Sequence, residues 1–211
     1  MTITFYDCAT APSPRRARMI LAEKRVEVTT VQIDLRSGQQ FSDAFRAINP
    51  ACTVPVLVTP EGEALCDNAS IARWLEEVYP DPPLMGVGPV GKARVAEWLW
   101  RAEFEGLMAV MEVLRNSSKA MADRALPGPH RVAQIAELAE RGRERARRFM
   151  GVLDARLADT PWLAGDVFSV ADIAAFVFVE FAGWVKIVPD GGHAALAGWL
   201  EAVRARPSAA A

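Results

Sequence analysis

Histidine and cysteine are scarce in this chain, and their placement excludes several chemistries. The 211 residues contain two histidines, His130 and His193, and three cysteines, Cys8, Cys52 and Cys66. So odd and sparse a set of thiols does not make a secreted disulfide framework, and no Cys/His spacing matches a zinc site. Reduced cytosolic thiols and no bound metal are expected. An excess of one charge is also missing: 24 Lys+Arg stand against 26 Asp+Glu, a formal net charge of -2. That balance supplies no basic field for a phosphate backbone or an anionic membrane, so neither nucleic acid nor membrane is expected as a partner. Long apolar runs are absent. Residues 170–179 are interrupted by Asp172 and too short to span a bilayer, and residues 1–8 show no basic region leading into an apolar one. A cytoplasmic protein is expected. What the chain does have, 51% hydrophobic and 24% charged residues, suits a globular protein with a buried core.

Thr2 to Tyr6 is short and β-prone, and after an irregular stretch from Ala9 to Pro14, the residues Ala17, Ile20, Leu21 and Lys24 fall at helical spacing. Val28 to Asp34 reads as a second strand, Phe41 to Ala47 as a short helix ended by Asn49-Pro50, and Val54 to Val58 as a third strand. A turn at residues 59–63, a hairpin partner at Ala64 to Cys66 and a helix from Asn68 to Val78 complete a βαβαββα order. Residues 79–91 then hold four prolines and three glycines, which marks a linker. Beyond it strand signals vanish. Helical runs are expected over Lys92 to about Ala122, Val132 to Leu157, Ser169 to Lys186 and His193 to Arg206. The fold class is therefore α/β followed by all-α, with a domain over 1–80, a linker over 81–91 and a helical domain over 92–211.

Ser169 and Asp172 have capping-box spacing, with Phe168 and Ile173 placed as a hydrophobic staple, so Asp172 reads as structural. The six tryptophans, at 74, 98, 100, 162, 184 and 199, sit mostly on apolar helical faces and are expected in the core. The charged run from Glu137 to Arg148 reads as a solvated helix face.

Three blocks in this order resemble the cytosolic glutathione transferases: Tyr6-Asp7 through Pro14 to Lys24, Asn49-Pro50 through Leu57, and Pro161 to Asp172. Within that family, the start of the chain and Arg115-Asn116-Ser117-Ser118 are most similar to bacterial relatives of the second yeast glutathione transferase. The resemblance implies a thioredoxin-like first domain that binds glutathione as co-substrate. It also implies conjugation of the glutathione thiolate to a small hydrophobic electrophile, and a homodimer. The same fold also permits a non-catalytic binding or assembly module, or a glutathione-dependent peroxidase or disulfide reductase.

Residue by residue, the resemblance makes Val54-Pro55 a cis peptide at which the main chain, with Thr53 before it, pairs with the cysteinyl part of glutathione. It sets Asp67 and Asn68, the latter in place of a usual Ser, at the γ-glutamyl group, with the acid near its ammonium and the helix start near its α-carboxylate; either residue could instead simply cap the third helix. Gln40 falls where relatives bind the glycine carboxylate, whereas Cys52 reads as packing. The sulfur must be held as a thiolate, and lowering its pKa by about two units takes roughly 2.7 kcal/mol. The helix beginning near Pro14 supplies part of that, and the hydroxyls of Thr10 and Ser13 are candidates for the rest. Two readings stand for Ser13, helix N-cap or hydroxyl catalyst. A third route, implied by the yeast-like group, has Asn116 and its neighbours hold an ordered water. Cys8, with no second cysteine at C-x-x-C spacing, reads as a buried structural thiol, while Trp184 and Phe181 are candidates to line an acceptor pocket.

Overall fold

The computed structural model describes residues 2–211. The chain divides into two compact units: residues up to Pro82 with Leu126–His130 and Ala211, and residues 83–125 with 131–210.

The first unit is built on β1 (Thr4–Asp7), β2 (Thr29–Gln32), β3 (Val56–Val58) and β4 (Ala64–Leu65), in the order β2-β1-β3-β4. β1 runs parallel to β2 and antiparallel to β3, with Phe5 opposite Leu57 and Tyr6 opposite Val56. Alternation along a strand sends these pairs to opposite faces. Phe5 and Leu57 are fully buried, as are Met19 and Ile20 of α1 (Pro12–Glu23) and Ile71 and Leu75 of α3 (Asn68–Val78), two helices that lie side by side. On the other face, Val56 joins Cys8, Ile33, Val54 and Phe45 of α2 (Asp43–Arg46) in a small core. Together these elements form the expected thioredoxin-like sheet. α2 follows a 3-10 turn, Gln39–Phe41, and is capped by the Ser42 hydroxyl, which accepts from Phe45 N–H; that break keeps the two from forming one helix.

Two boundaries differ from the sequence reading for a stated reason. α1 begins at Pro12 and α4 (Gly88–Arg101) begins inside the proline-rich stretch, because a first helical turn needs no N–H and tolerates the fixed φ of proline. The same stretch is anchored at Leu84, which is buried and accepts a hydrogen bond from Val170 N–H.

The second unit is built from helices, with isolated β-bridges at Arg124–Val132 and Trp162–Gly165 in its connections. α4 passes through a wider π turn, Ala102–Leu107, into α5 (Met108–Ser117), so the long run is not a uniform α-helix and ends before Ala122. A Cβ on Gly106, within the π turn, would stand 2.9 Å from Phe178 Cγ, and one on Gly142 would stand 2.6 Å from Ala109 C=O. Only glycine lets these helices approach so closely. The apolar α7 (Val170–Trp184) packs chiefly on the π turn and α4, and more lightly on α5 and α8 (Ala194–Arg204), while α6 (Ala136–Leu157) lies along α5 and meets α7 through the Phe149 and Phe178 rings; the buried set includes these two, Phe176 and Leu200. The Ser169–Asp172 capping box is present: Ser169 Oγ accepts from Ala171 N–H and the Asp172 carboxylate from Ser169 N–H.

Of the tryptophans, Trp98 and Trp199 are buried, but Trp100 and Trp184 are 58% and 57% exposed, contrary to the core expectation. The charged run is likewise more than a solvated face, since Arg141 and Arg145 of α6 both pair with Glu112 of α5 at 3.0 Å. No helix among the described residues is long and apolar enough to cross a membrane.

Candidate functional site

Three chain segments of the first unit converge on one small core. Ala11 before α1, Cys66 before the α3 cap and Val54 before β3 all belong to or pack against the cluster around Val56. Each segment delivers polar groups.

The first is the start of α1. Ala11, not Ser13, takes the N-cap position, without a side-chain bond, and Ser13 lies within the first turn between Pro12 and Pro14. The cap reading of Ser13 is therefore corrected: Pro12 already fits the first turn, so the helix starts ahead of the serine. Two prolines in that turn remove two main-chain donors, leaving the Ser13 N–H at the positive helix end. The loop before it is held by a buried network absent from the sequence reading. Asp7, 2% exposed, accepts from Arg18 Nη1 at 2.6 Å and Gln32 Nε2 at 2.7 Å, while Ala9 N–H donates to Gln32 Oε1 at 2.9 Å. An acid at an inward-facing strand end was the one available signal, since a buried carboxylate requires a partner. Cys8 is buried with its Sγ 3.6 Å from the exposed Thr10 hydroxyl.

The second segment is residues 49–55. Val54–Pro55 is cis. Among the described residues, neither the N–H nor the C=O of Val54 enters a hydrogen bond. Asn49, read from sequence only as a helix end, is buried and sets this segment: its Nδ2 donates to Thr53 C=O at 2.8 Å and to Thr53 Oγ1 at 3.1 Å, and its Oδ1 accepts from Ala51 N–H. Cys52 is buried, with φ 54°, and its thiol reaches only Pro50 C=O.

The third segment opens α3. Asp67 caps the helix, accepting from Ser70 N–H at 2.7 Å, and its side chain is exposed. Asn68 is 8% exposed; its Nδ2 donates to Ser13 Oγ at 3.0 Å and its Oδ1 is buried without a partner. The family resemblance implies that both residues lie near one ligand, but the sequence holds no sign of this bond. Beside Asp67, burial and then the Asp67 charge push the Cys66 thiol up, away from a reactive thiolate. Gln40 sits in the 3-10 turn, 4% exposed, with Oε1 likewise buried and unpartnered.

Asn116 lies in the second unit, where its amide joins two helices: Nδ2 donates to Glu112 C=O at 2.9 Å and Oδ1 accepts from Ile135 N–H at 3.0 Å. Its neighbours are engaged similarly, with Arg115 Nη1 on Arg124 C=O and Ser117 Oγ on Val113 C=O. Burial first, then Arg124, lowers the Arg115 pKa from its ordinary value. Phe181 and Trp184 meet edge to face with centroids 5.3 Å apart.

Residues 10–78 match the family model of the glutathione S-transferase N-terminal domain, and residues 106–207 that of the C-terminal domain. The chain is 32% identical over 206 residues to glutathione S-transferase 2 of Saccharomyces cerevisiae, covering 96% of this chain and 86% of that protein. It is similar to the structure of yeast Gtt2 with a TM-score of 0.88, at 30% identity over 97% of both chains. A glutathione S-transferase domain-containing protein of Marinobacter aquaeolei gives a TM-score of 0.89, at 33% identity over 97% of this chain and 98% of that one. FtsZ-localized protein A of Caulobacter vibrioides is 27% identical over 202 residues, 93% of this chain and 84% of that protein. With both domain models matched in order and near full-length identity above 30% to a named transferase, the chain belongs to the glutathione S-transferase family.

Proposed function

We propose that the protein is a glutathione transferase that binds glutathione on its first unit and passes the thiolate to a small hydrophobic electrophile. The observation that carries this reading is the convergence at the Val54 core: Val54, with an unpaired main-chain N–H and C=O among the described residues, shares one apolar cluster with the residues leading into two helices, whose starts are joined by the Asn68–Ser13 hydrogen bond. Val54 offers an added-strand partner to the cysteinyl residue of a peptide. Asp67 and the start of α3 suit its γ-glutamyl ammonium and carboxylate, and Gln40 its far carboxylate. The sulfur then meets the positive end of α1 and the Ser13 hydroxyl. A helix end contributes about 0.3–1 kcal/mol, and a hydrogen bond to an anion about 1.5–3, so the two together reach the roughly 2.7 kcal/mol that a two-unit shift needs. In the reaction the thiol proton goes to water, a sulfur–carbon bond forms and the leaving group departs with its electron pair.

The test pairs calorimetry of glutathione binding with turnover of a generic aryl halide. Heat and turnover are expected, with Ser13→Ala lowering the rate about tenfold or more and Asn116→Ala leaving glutathione affinity in place. Loss confined to Asn116→Ala would replace the hydroxyl by an ordered water. The similarity to FtsZ-localized protein A favours one other reading, an assembly module, for which binding without turnover is the signature.

A further inference from the structure

Asn68 stands where the resemblance implies a serine, and its amide does something a serine at that position would not. Its Nδ2 reaches across from α3 to Ser13 Oγ at 3.0 Å, and Arg16 Nη2 donates to the same oxygen at 3.4 Å. A hydroxyl oxygen has two acceptor positions and one hydrogen. With both acceptor positions taken, the Ser13 hydroxyl can act toward a third group only as a donor. The second, independent observation is Asn68 Oδ1, which among the described residues is buried without a partner, in a residue only 8% exposed. Leaving such an acceptor unsatisfied costs about 1–3 kcal/mol, a cost relieved when a ligand donor arrives. The amide thus has its donor end on the hydroxyl and its acceptor end without a partner.

We propose that Asn68 is the positioning residue of the Ser13 hydroxyl: it fixes that hydroxyl as a donor toward the glutathione sulfur while its own oxygen accepts from the γ-glutamyl ammonium. This rests on the transferase reading above. An amide whose donor is spent on Ser13 presents oxygen, and oxygen suits the ammonium of the γ-glutamyl group rather than its carboxylate. Binding at one end of the tripeptide and stabilisation of the thiolate at its middle are then coupled through a single side chain.

The experiment separates affinity from thiol ionisation. Binding of S-methylglutathione, which has no ionisable thiol, is followed by calorimetry, and the pH titration of bound glutathione is followed by thiolate absorbance. Asn68→Ala is expected to raise the bound thiol pKa by about one unit, a roughly tenfold loss of thiolate near neutrality, matching Ser13→Ala; the double variant should add nothing further. Asn68→Asp keeps size and an acceptor but cannot donate to Ser13, so it should still bind S-methylglutathione while losing the same unit. That variant also covers the case in which Asn68→Ala fails to fold. An unchanged thiol pKa in Asn68→Asp, or shifts that add in the double variant, would overturn the assignment. Wild-type protein that binds neither peptide would instead bring down the transferase reading itself, and this proposal with it.

Discussion

Asp7 carries a carboxylate at the end of an inner strand, where only a cation or several donors make its burial tolerable. Arg18 and Gln32 supply both, and through Ala9 the same pair holds the loop that leads into α1. Removing one partner of such a pair is costly because it leaves the other buried and uncompensated. Arg18→Ala should therefore lower unfolding free energy by about 3 kcal/mol, read from the urea midpoint, and should weaken glutathione binding because the start of α1 loses its tether. A change within about 0.5 kcal/mol would show that water replaces the guanidinium.

Among the elements, α7 depends most visibly on its first turn. Asp172 is fully buried and accepts from Leu163 N–H, Ser169 N–H and Oγ, and Trp199 Nε1, so one carboxylate ties the loop before α7 to α8. Burial pushes its pKa up from 3.8 to about 6, while the donors from Leu163, Ser169 and Trp199 hold it from rising further. Because the folded pKa lies above the unfolded one, the folded state holds the extra proton between about pH 4 and 6. The stability from this group is present below that window and lost as pH rises through it, about 3 kcal/mol in all. Asp172→Asn would turn an N–H toward donors, so it should be less stable at every pH. It should also lack the wild-type decline between pH 4 and 6 when urea midpoints of the two proteins are subtracted. Parallel pH profiles would assign the decline to other carboxyls.

At the scale of the molecule, the second unit leaves an apolar stripe uncovered. Trp100, Phe104 and Met108 are 58%, 51% and 40% exposed, and the Trp100 and Phe104 rings stack at 4.9 Å. Exposed aromatic groups in register are the usual anchors of an interface. Together with the family resemblance they lead us to expect a homodimer, twice the 23.0 kDa chain in sedimentation, with Phe104→Glu shifting it toward monomer. Wild-type protein sedimenting as a monomer at micromolar concentration would refute this.

The amino-acid order alone determined the features that act over a few residues. A cap, a proline and an apolar period delimited α3 at Asn68–Val78, placed the strands in sequence and marked the capping box of α7. Family motifs singled out Val54-Pro55 and Asp67-Asn68 for the same reason: each is a short contiguous signature. Tertiary structure decided what joins distant residues. Ser13 and Asn68 are 55 positions apart, Asp7 meets Gln32 across β1 and β2, and the Gly106 turn is close-fitted by Phe149 and Phe178 from two other helices. The difference between buried Trp98 and exposed Trp100 was equally hidden, because both lie in one apolar run and only the packing of neighbouring helices assigns one to the core. Local propensity is written in neighbouring side chains, whereas a hydrogen bond or a close helix crossing depends on where whole elements come to rest.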